Sequence, residues 1–246
     1  MINTNLILNV YKNKSSKSAL STQLLYGEKF KIIKKFGKFI RIKTTYDGYF
    51  GYIKNKKFIK DFTPSHKVSN LSATLFTKPN KKFRLNKKIS FSSLIKVKNK
   101  KKNFFNFGKY WIYKKDVVPI NKKNSLFSKI KIFKNIKYKW GGNSFKGIDC
   151  SALVQIFYKF NNKFCPRDSK DQMKYFKKNV NLKKIKKNNL IFWKGHVAIC
   201  LSNKKLIHAY GPKKRVVIMD IKKTIKEIDK NAKLKIKFIK NESERI

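Results

Sequence analysis

The chain has 246 residues with 41% apolar and 14% aromatic content, which excludes a disordered polymer, and no apolar run approaches the ~18–20 residues of a membrane span. Its net charge of +51 is spread as +11 over residues 1–62, +14 over 63–120 and +26 over 121–246, and 58 of the 63 basic residues are Lys. This even, Lys-dominated excess, beside abundant Asn, Ile and Phe, reads as AT-rich codon usage; no specific nucleic-acid partner is expected, only non-specific attraction to polyanions. Three Cys are too few for a disulfide scaffold, and no C-x-x-C pair suggests a metal site.

Residues 20–60 predict short strands at Leu24–Tyr26, Phe30–Ile33, Phe39–Ile42 and Tyr49–Ile53. Turn signals separate them at Gly27, Gly37 and Asp47-Gly48. Strands this short and closely spaced predict a small antiparallel barrel over 1–62. Residues 63–120 repeat the texture less clearly, with strands expected at Leu71–Phe76, Lys88–Phe91, Leu94–Val97, Phe104–Phe107 and Tyr110–Tyr113, and a basic turn at Lys98–Lys102. From 121 to 246 the pattern changes. Leu126, Phe127, Ile130, Phe133 and Ile136 predict a helix over 124–137, and a second helix begins near Cys150 with Ala152, Leu153, Ile156, Phe157 and Phe160 on one face. Strands follow at Leu190–Trp193, Val197–Leu201 and Leu206–Tyr210, so this part is α+β. The Lys-rich stretch after Asp220 gives no clear element.

Three pieces converge on a chemistry. In Tyr138-Lys-Trp-Gly-Gly-Asn-Ser-Phe-Lys-Gly-Ile-Asp-Cys150, glycines at 141, 142 and 147 approach a helix that opens on Cys150. A helix N-terminus offers unpaired N–H groups that stabilise a thiolate and can serve an oxyanion. Asp149 is placed to cap that helix, a role that competes with a substrate role. The second piece sets His196 at the mouth of an apolar strand, and the third sets His208 on the next one. A Cys nucleophile needs a base, and the base needs an orienting partner. Both His share a sheet face only if the positions facing each other sum to an even number, so an odd-length loop or a bulge is predicted between the strands.

These residues resemble the NlpC-type cell-wall cysteine peptidases, a family with a reduced papain-like fold. Asp149-Cys150-Ser151 resembles its Asp-Cys-Ser-Gly motif with Ala152 for Gly, and Gly195-His196-Val197 its Gly-His-Val. Pro166-Arg-Asp-Ser169 with Gln172 resembles the segment after its first helix, while Asn188-Asn189-Leu190 departs from its Gly-Asp-Leu. The resemblance implies Cys150 as nucleophile, His196 as base and His208 as the third polar residue. Upstream, Leu25-Tyr-Gly-Glu28 and Asp47-Gly-Tyr-Phe-Gly-Tyr52 resemble bacterial SH3-like barrels, with a weaker likeness at Tyr110-Trp-Ile112 and Asp116-Val-Val-Pro119.

The resemblance therefore implies two small all-β SH3-like barrels ahead of an α+β papain-like domain. It further implies hydrolysis of the γ-D-glutamyl bond to meso-diaminopimelate or Lys in peptidoglycan-derived peptides with a free N-terminal L-Ala, through a Cys thioester. Tyr138, Asp149 and Ser151 would hold the amine, with Glu28 or Asp47 as a further acid; no cofactor or metal is expected. Other acyl chemistry on the same fold, or an inactive wall- or polyanion-binding module, are the alternatives. A core role is the less favoured alternative for His208 and Tyr138, while Cys165 and Cys200 read as structural thiols and Arg167 and Asp168 as a structural ion pair. No secretory signal is visible, so a cytoplasmic, wall-recycling role is expected, with non-standard export as the alternative.

Overall fold

The computed structural model describes residues 1–60 and 62–242. They cluster into two compact units, one of 1–123 with 140–145 and 160–162, the other of 124–139, 146–159 and 163–246.

In the first unit, β1 (Ile7–Tyr11), β2 (Leu20–Leu25), β3 (Phe30–Phe36), β4 (Phe39–Thr44) and β5 (Phe50–Lys54) form an antiparallel sheet in the order β2-β1-β5-β4-β3. Alternate side chains enter its core: Leu8 and Val10, Ile40 and Ile42, and Ile53, around Phe30. Gly37 (φ 52°) lies in the two-residue turn between Phe36 and Phe39, a conformation that suits a residue without Cβ. The sequence missed β1, whose alternation is short and flanked by Asn and Lys.

The second β section adds β6 (His66–Val68), β7 (Ser72–Phe76), β8 (Arg84–Ser90), β9 (Leu94–Ile95), β10 (Asn99–Lys101), β11 (Phe104–Phe107), β12 (Tyr110–Tyr113) and β13 (Val117–Pro119). They pair as β10-β11-β12-β7-β8 and β13-β6-β9. The expected basic turn at 98–102 is a correction: it holds β10, and only Lys102 (φ 47°) takes a turn conformation. Every β10 side chain is exposed at the sheet edge, where Lys blunts further strand pairing.

In the second unit the expected helix over 124–137 is also corrected. Positive φ at Phe127 and Asn135 brackets a short 3-10 turn at Ile130–Phe133, with amide bonds from 130 to 127, 132 to 129, 134 to 131 and 136 to 133. The apolar residues at 127, 130, 133 and 136 recur every three, which is the period of a 3-10 helix. After the short strands β14 (Asn143–Ser144, in the first unit) and β15 (Gly147–Ile148) comes α1 (Cys150–Phe160). Its Ser151 and Gln155 are buried along with its apolar residues, so it sits deeper than one amphipathic face requires.

Then follow α2 (Ser169–Tyr175), β16 (Leu190–Trp193), β17 (His196–Cys200), β18 (Lys205–Tyr210), β19 (Arg215–Asp220), α3 (Ile221–Ala232) and β20 (Phe238–Lys240). The sheet is antiparallel in the order β19-β18-β17-β16-β20. Its central strands are buried on both faces, which is why they read as continuous apolar runs. Ile221 and Ile228 of α3 pack on the face that carries Ile191, Trp193, Ala198, Cys200, Leu206 and Tyr210. The Asp220 side chain caps α3 by accepting the Lys223 N–H at 3.0 Å. Among the described residues no helix is long and apolar enough to cross a membrane.

Candidate active site

The nucleophile candidate is set by the start of α1. Gly147 has φ 153°, and a Cβ there would lie 2.6 Å from Lys139 Cβ, so the chain passes at a distance only glycine allows. Asp149 caps the helix: its Oδ1 accepts the Ala152 N–H at 2.8 Å. Cys150 follows, nearly buried, with its sulfur against the backbone amides of Val197 and Ser151. Burial, then the Asp149 charge, push its thiol up to about 12, against the downward pull of the Val197 amide, Arg167 and the Ser151 amide. The sequence predicted a helix terminus that stabilises thiolate. The amides do pull in that direction, but loss of hydration outweighs them.

The base candidate follows the Lys194-Gly195 turn, where Gly195 takes φ 74° and Trp193 faces His196. Pairs Ile199–Ile207 and Cys200–Leu206 fix the β17–β18 register, so facing positions sum to an even number. The loop is odd, as the shared face required, with the Leu201 N–H bonded to the Lys205 carbonyl. His196 and His208 meet, His196 Nε2 lying 2.9 Å from His208 Nδ1. The Val197 amide lies at the thiol, which brings the start of β17 to the Cys150 end of α1. Burial lowers His196 to about 4; burial and then the neighbouring His196 hold His208 well below its ordinary value. His208 is fully buried, stacked on Tyr210 with centroids 4.6 Å apart, and its Nε2 lies 3.4 Å from Met219 Sδ.

Around the thiol the structure also gathers Tyr138, Asp149 and Ser151. Tyr138 is raised to about 12 by burial and by the nearby Cys150 and Asp149. Asp149 is not an isolated carboxylate. Arg167 grips it with two nitrogens, Nη1 to Oδ1 at 3.0 Å and Nη2 to Oδ2 at 2.5 Å, and Nη1 also reaches Ser151 Oγ at 3.0 Å. Ser151 Oγ donates to the same Oδ1 at 3.2 Å. Arg167 thus does form a buried ion pair, with Asp149, while Asp168 stands at the N-cap of α2. Gln172, unassigned from the residues alone, donates from Nε2 to the Ser151 and Pro166 carbonyls at 2.9 Å each and so braces the start of α1.

Residues 135–230 match the NlpC/P60 family, and residues 10–58 match the bacterial dipeptidyl-peptidase SH3 domain. Residues 135–230 are an NlpC/P60 domain. A γ-D-glutamyl-L-lysine dipeptidyl-peptidase of Bacillus subtilis is 26% identical over 238 residues, 85% of this chain and 79% of that protein. Its namesake in Bacillus cereus is 24% identical over 82% of this chain and 71% of that protein. A solved NlpC/P60 family protein from Bacillus cereus superposes with a TM-score of 0.77 at 21% identity, covering 89% of this chain and 93% of its own. The chain thus carries an NlpC/P60 domain behind an SH3-like N-terminal domain.

The NlpC/P60 domain absorbs its two departures from the family motifs. Ala152 is fully buried and still gives its amide to Asp149. At Asn188-Asn189 the first Asn takes φ 73°, a left-handed conformation that Asn tolerates better than most residues, and the Asn189 Oδ1 accepts the Lys186 N–H at 2.9 Å. Glu28 and Asp47 are engaged within their own section. Glu28 accepts the Leu25 N–H at 2.7 Å and Asp47 accepts the Tyr49 N–H at 3.4 Å. Arg167, read from the sequence only as a structural ion-pair residue, is one of five Arg among 63 basic residues, and its fork does what Lys cannot. Met219, which the sequence missed, left no signal.

Proposed function

We propose that this chain is a thiol peptidase that cleaves the γ-D-glutamyl bond to meso-diaminopimelate or Lys in peptidoglycan-derived peptides bearing a free N-terminal L-Ala. The observation that carries the reading is the His196–His208 contact of 2.9 Å, on a strand whose next amide touches the Cys150 thiol. His196 Nε2 is engaged by His208, which leaves Nδ1 to take the thiol proton. Cys150 sulfur then attacks the glutamyl carbonyl carbon, and the oxyanion faces backbone N–H groups at the start of α1. Collapse of the tetrahedral species breaks the C–N bond, the proton on Nδ1 passes to the leaving amine, and water hydrolyses the thioester with His196 again as base. His208 orients the ring and supports its positive charge.

Tyr138, Ser151 and the Asp149–Arg167 pair form the amine site in this reading. Since Arg167 offsets the Asp149 charge, the ammonium is held by oriented hydroxyls and an ion pair rather than by a lone carboxylate. A free-amine requirement suits released peptides, which is the chemistry of wall recycling in the cytoplasm. The test is incubation of the full chain with L-Ala-γ-D-Glu-meso-diaminopimelate, its Lys analogue and their N-acetylated forms, read by mass spectrometry. Cleavage of the free-amine peptides, lost in Cys150→Ala, is expected. Equal cleavage of the acetylated forms would remove the amine requirement, and no cleavage of any would overturn the bond assignment.

A further inference from the structure

The next inference rests on His196 as the base in the reading above and concerns what decides its protonated nitrogen. In β18 and β19, His208 faces Val217 and Leu206 faces Met219, so His208 and Met219 lie on the same face of the sheet in adjacent strands. Their contact runs from His208 Nε2 to Met219 Sδ at 3.4 Å. A thioether carries no hydrogen and can only accept. The contact is a hydrogen bond only if His208 Nε2 bears the proton, and in a neutral ring that leaves Nδ1 bare. The 2.9 Å contact from that nitrogen to His196 Nε2 then requires His196 Nε2 to donate. His196 Nδ1 is left with a free lone pair, the form a general base needs.

The opposite assignment fails at both ends. It turns a bare His208 Nε2 toward the sulfur lone pairs, and it puts the His196 proton on Nδ1, where the ring cannot take one from a thiol. We propose that Met219 is a positioning residue of the site, whose sulfur fixes His208, and through it His196, in the Nε2–H tautomer. Among the described residues, the titratable groups around His208 include His196 from β17 and the stacked Tyr210 of its own strand, and beyond Tyr210 lies Glu227 of α3 with Lys213 3.9 Å from it. Burial keeps both rings neutral at pH 7, as the array requires.

The test is long-range proton–nitrogen NMR of the full chain labelled with ¹⁵N-histidine, beside kinetics on the free-amine peptide. The wild type is expected to show both His196 and His208 as Nε2–H tautomers at pH 7. Met219→Leu keeps the volume and removes the acceptor. Its His208 should populate both tautomers, and kcat should fall on the order of tenfold, the scale of one lost hydrogen bond, with KM unchanged. Met219→Gln, whose amide oxygen can accept, should restore the tautomer and most of kcat. A wild-type His208 protonated at Nδ1 overturns the proposal, as does a folded Met219→Leu with wild-type tautomers and kcat. The spectrum needs no substrate, so a wrong bond assignment shows as missing turnover with the tautomer pattern intact.

Discussion

Removing Arg167 gives the sharpest test of how the site is held. Its side chain is 2% exposed and that of Asp149 9%, so neither charge has water to fall back on. Arg167→Met roughly preserves volume and deletes both guanidinium bonds to Asp149, while the Ala152 amide and the Ser151 hydroxyl still donate to the carboxylate. Breaking a buried pair by removing one partner costs ~3–5 kcal/mol, and donors that survive the change favour the lower end of that range. Asp149→Asn should cost a similar amount by stranding the guanidinium. The double variant leaves two neutral groups, so it should recover on the order of 2 kcal/mol relative to the sum of the singles. Urea denaturation of the four proteins at pH 7 measures the coupling, and hydrogen exchange at the Ala152 and Leu153 amides locates it at the start of α1. A cost below ~1 kcal/mol for Arg167→Met, or additive single effects, would refute the argument that this ion pair holds the nucleophile helix.

The remaining predictions concern titration. Folding lowers His196 from its ordinary 6.5 to about 4, so between those values the unfolded chain binds more protons and stability falls with acidity. That loss should reach about 2–3 kcal/mol by pH 4.5, seen as the wild-type minus His196→Asn difference in urea denaturation; a difference that does not change from pH 7 to 4.5 would sink it. Cys150, pushed up to about 12, should be alkylated by iodoacetamide slowly at pH 7 and faster with each step toward pH 10. Peptide mapping against time reads the rate, and a plateau already reached at neutral pH would instead show a preformed thiolate.

What the sequence disclosed, and what it hid, follows from how far apart the determining residues lie. Cys150, its cap Asp149 and the helix behind them are local: a glycine approach, an acid and an apolar row within a dozen residues. The sharing of a face by His196 and His208 was also derivable, because strand parity turns a spatial claim into a statement about loop length. The partner of Arg167 was not. Asp168 is adjacent in sequence, yet a guanidinium fork needs a carboxylate in line with it, and the fold supplies Asp149 from the other end of α1. The apolar row at 127–136 misled for a different reason. Spacings of three and four both fit a helix, and only the positive φ at Phe127 and Asn135 decides for a short 3-10 turn. The short strands β6, β10 and β13 escaped because three residues carry no measurable alternation.

The electrostatics of the site settle what kind of catalyst the proposed mechanism describes. A thiol pushed up to about 12 beside an imidazole lowered to about 4 makes the neutral pair the resting form at pH 7. Proton transfer from sulfur to His196 is then uphill unless something compensates as it happens. The backbone amides of Ser151 and Val197 already touch the sulfur, and the bare Nδ1 of His208 can take the strengthened hydrogen bond of an imidazolium. These dipoles are fixed by the start of α1 and by the β17–β18 register, so they need no rearrangement when charge develops. Burial therefore raises the cost of the ion pair in the resting enzyme, while the same dry surroundings strengthen each dipole aimed at it. On this mechanism the ion pair forms as substrate engages rather than before. That is why the tautomer of His196 matters: a base that must act within a single encounter has to present its lone pair beforehand.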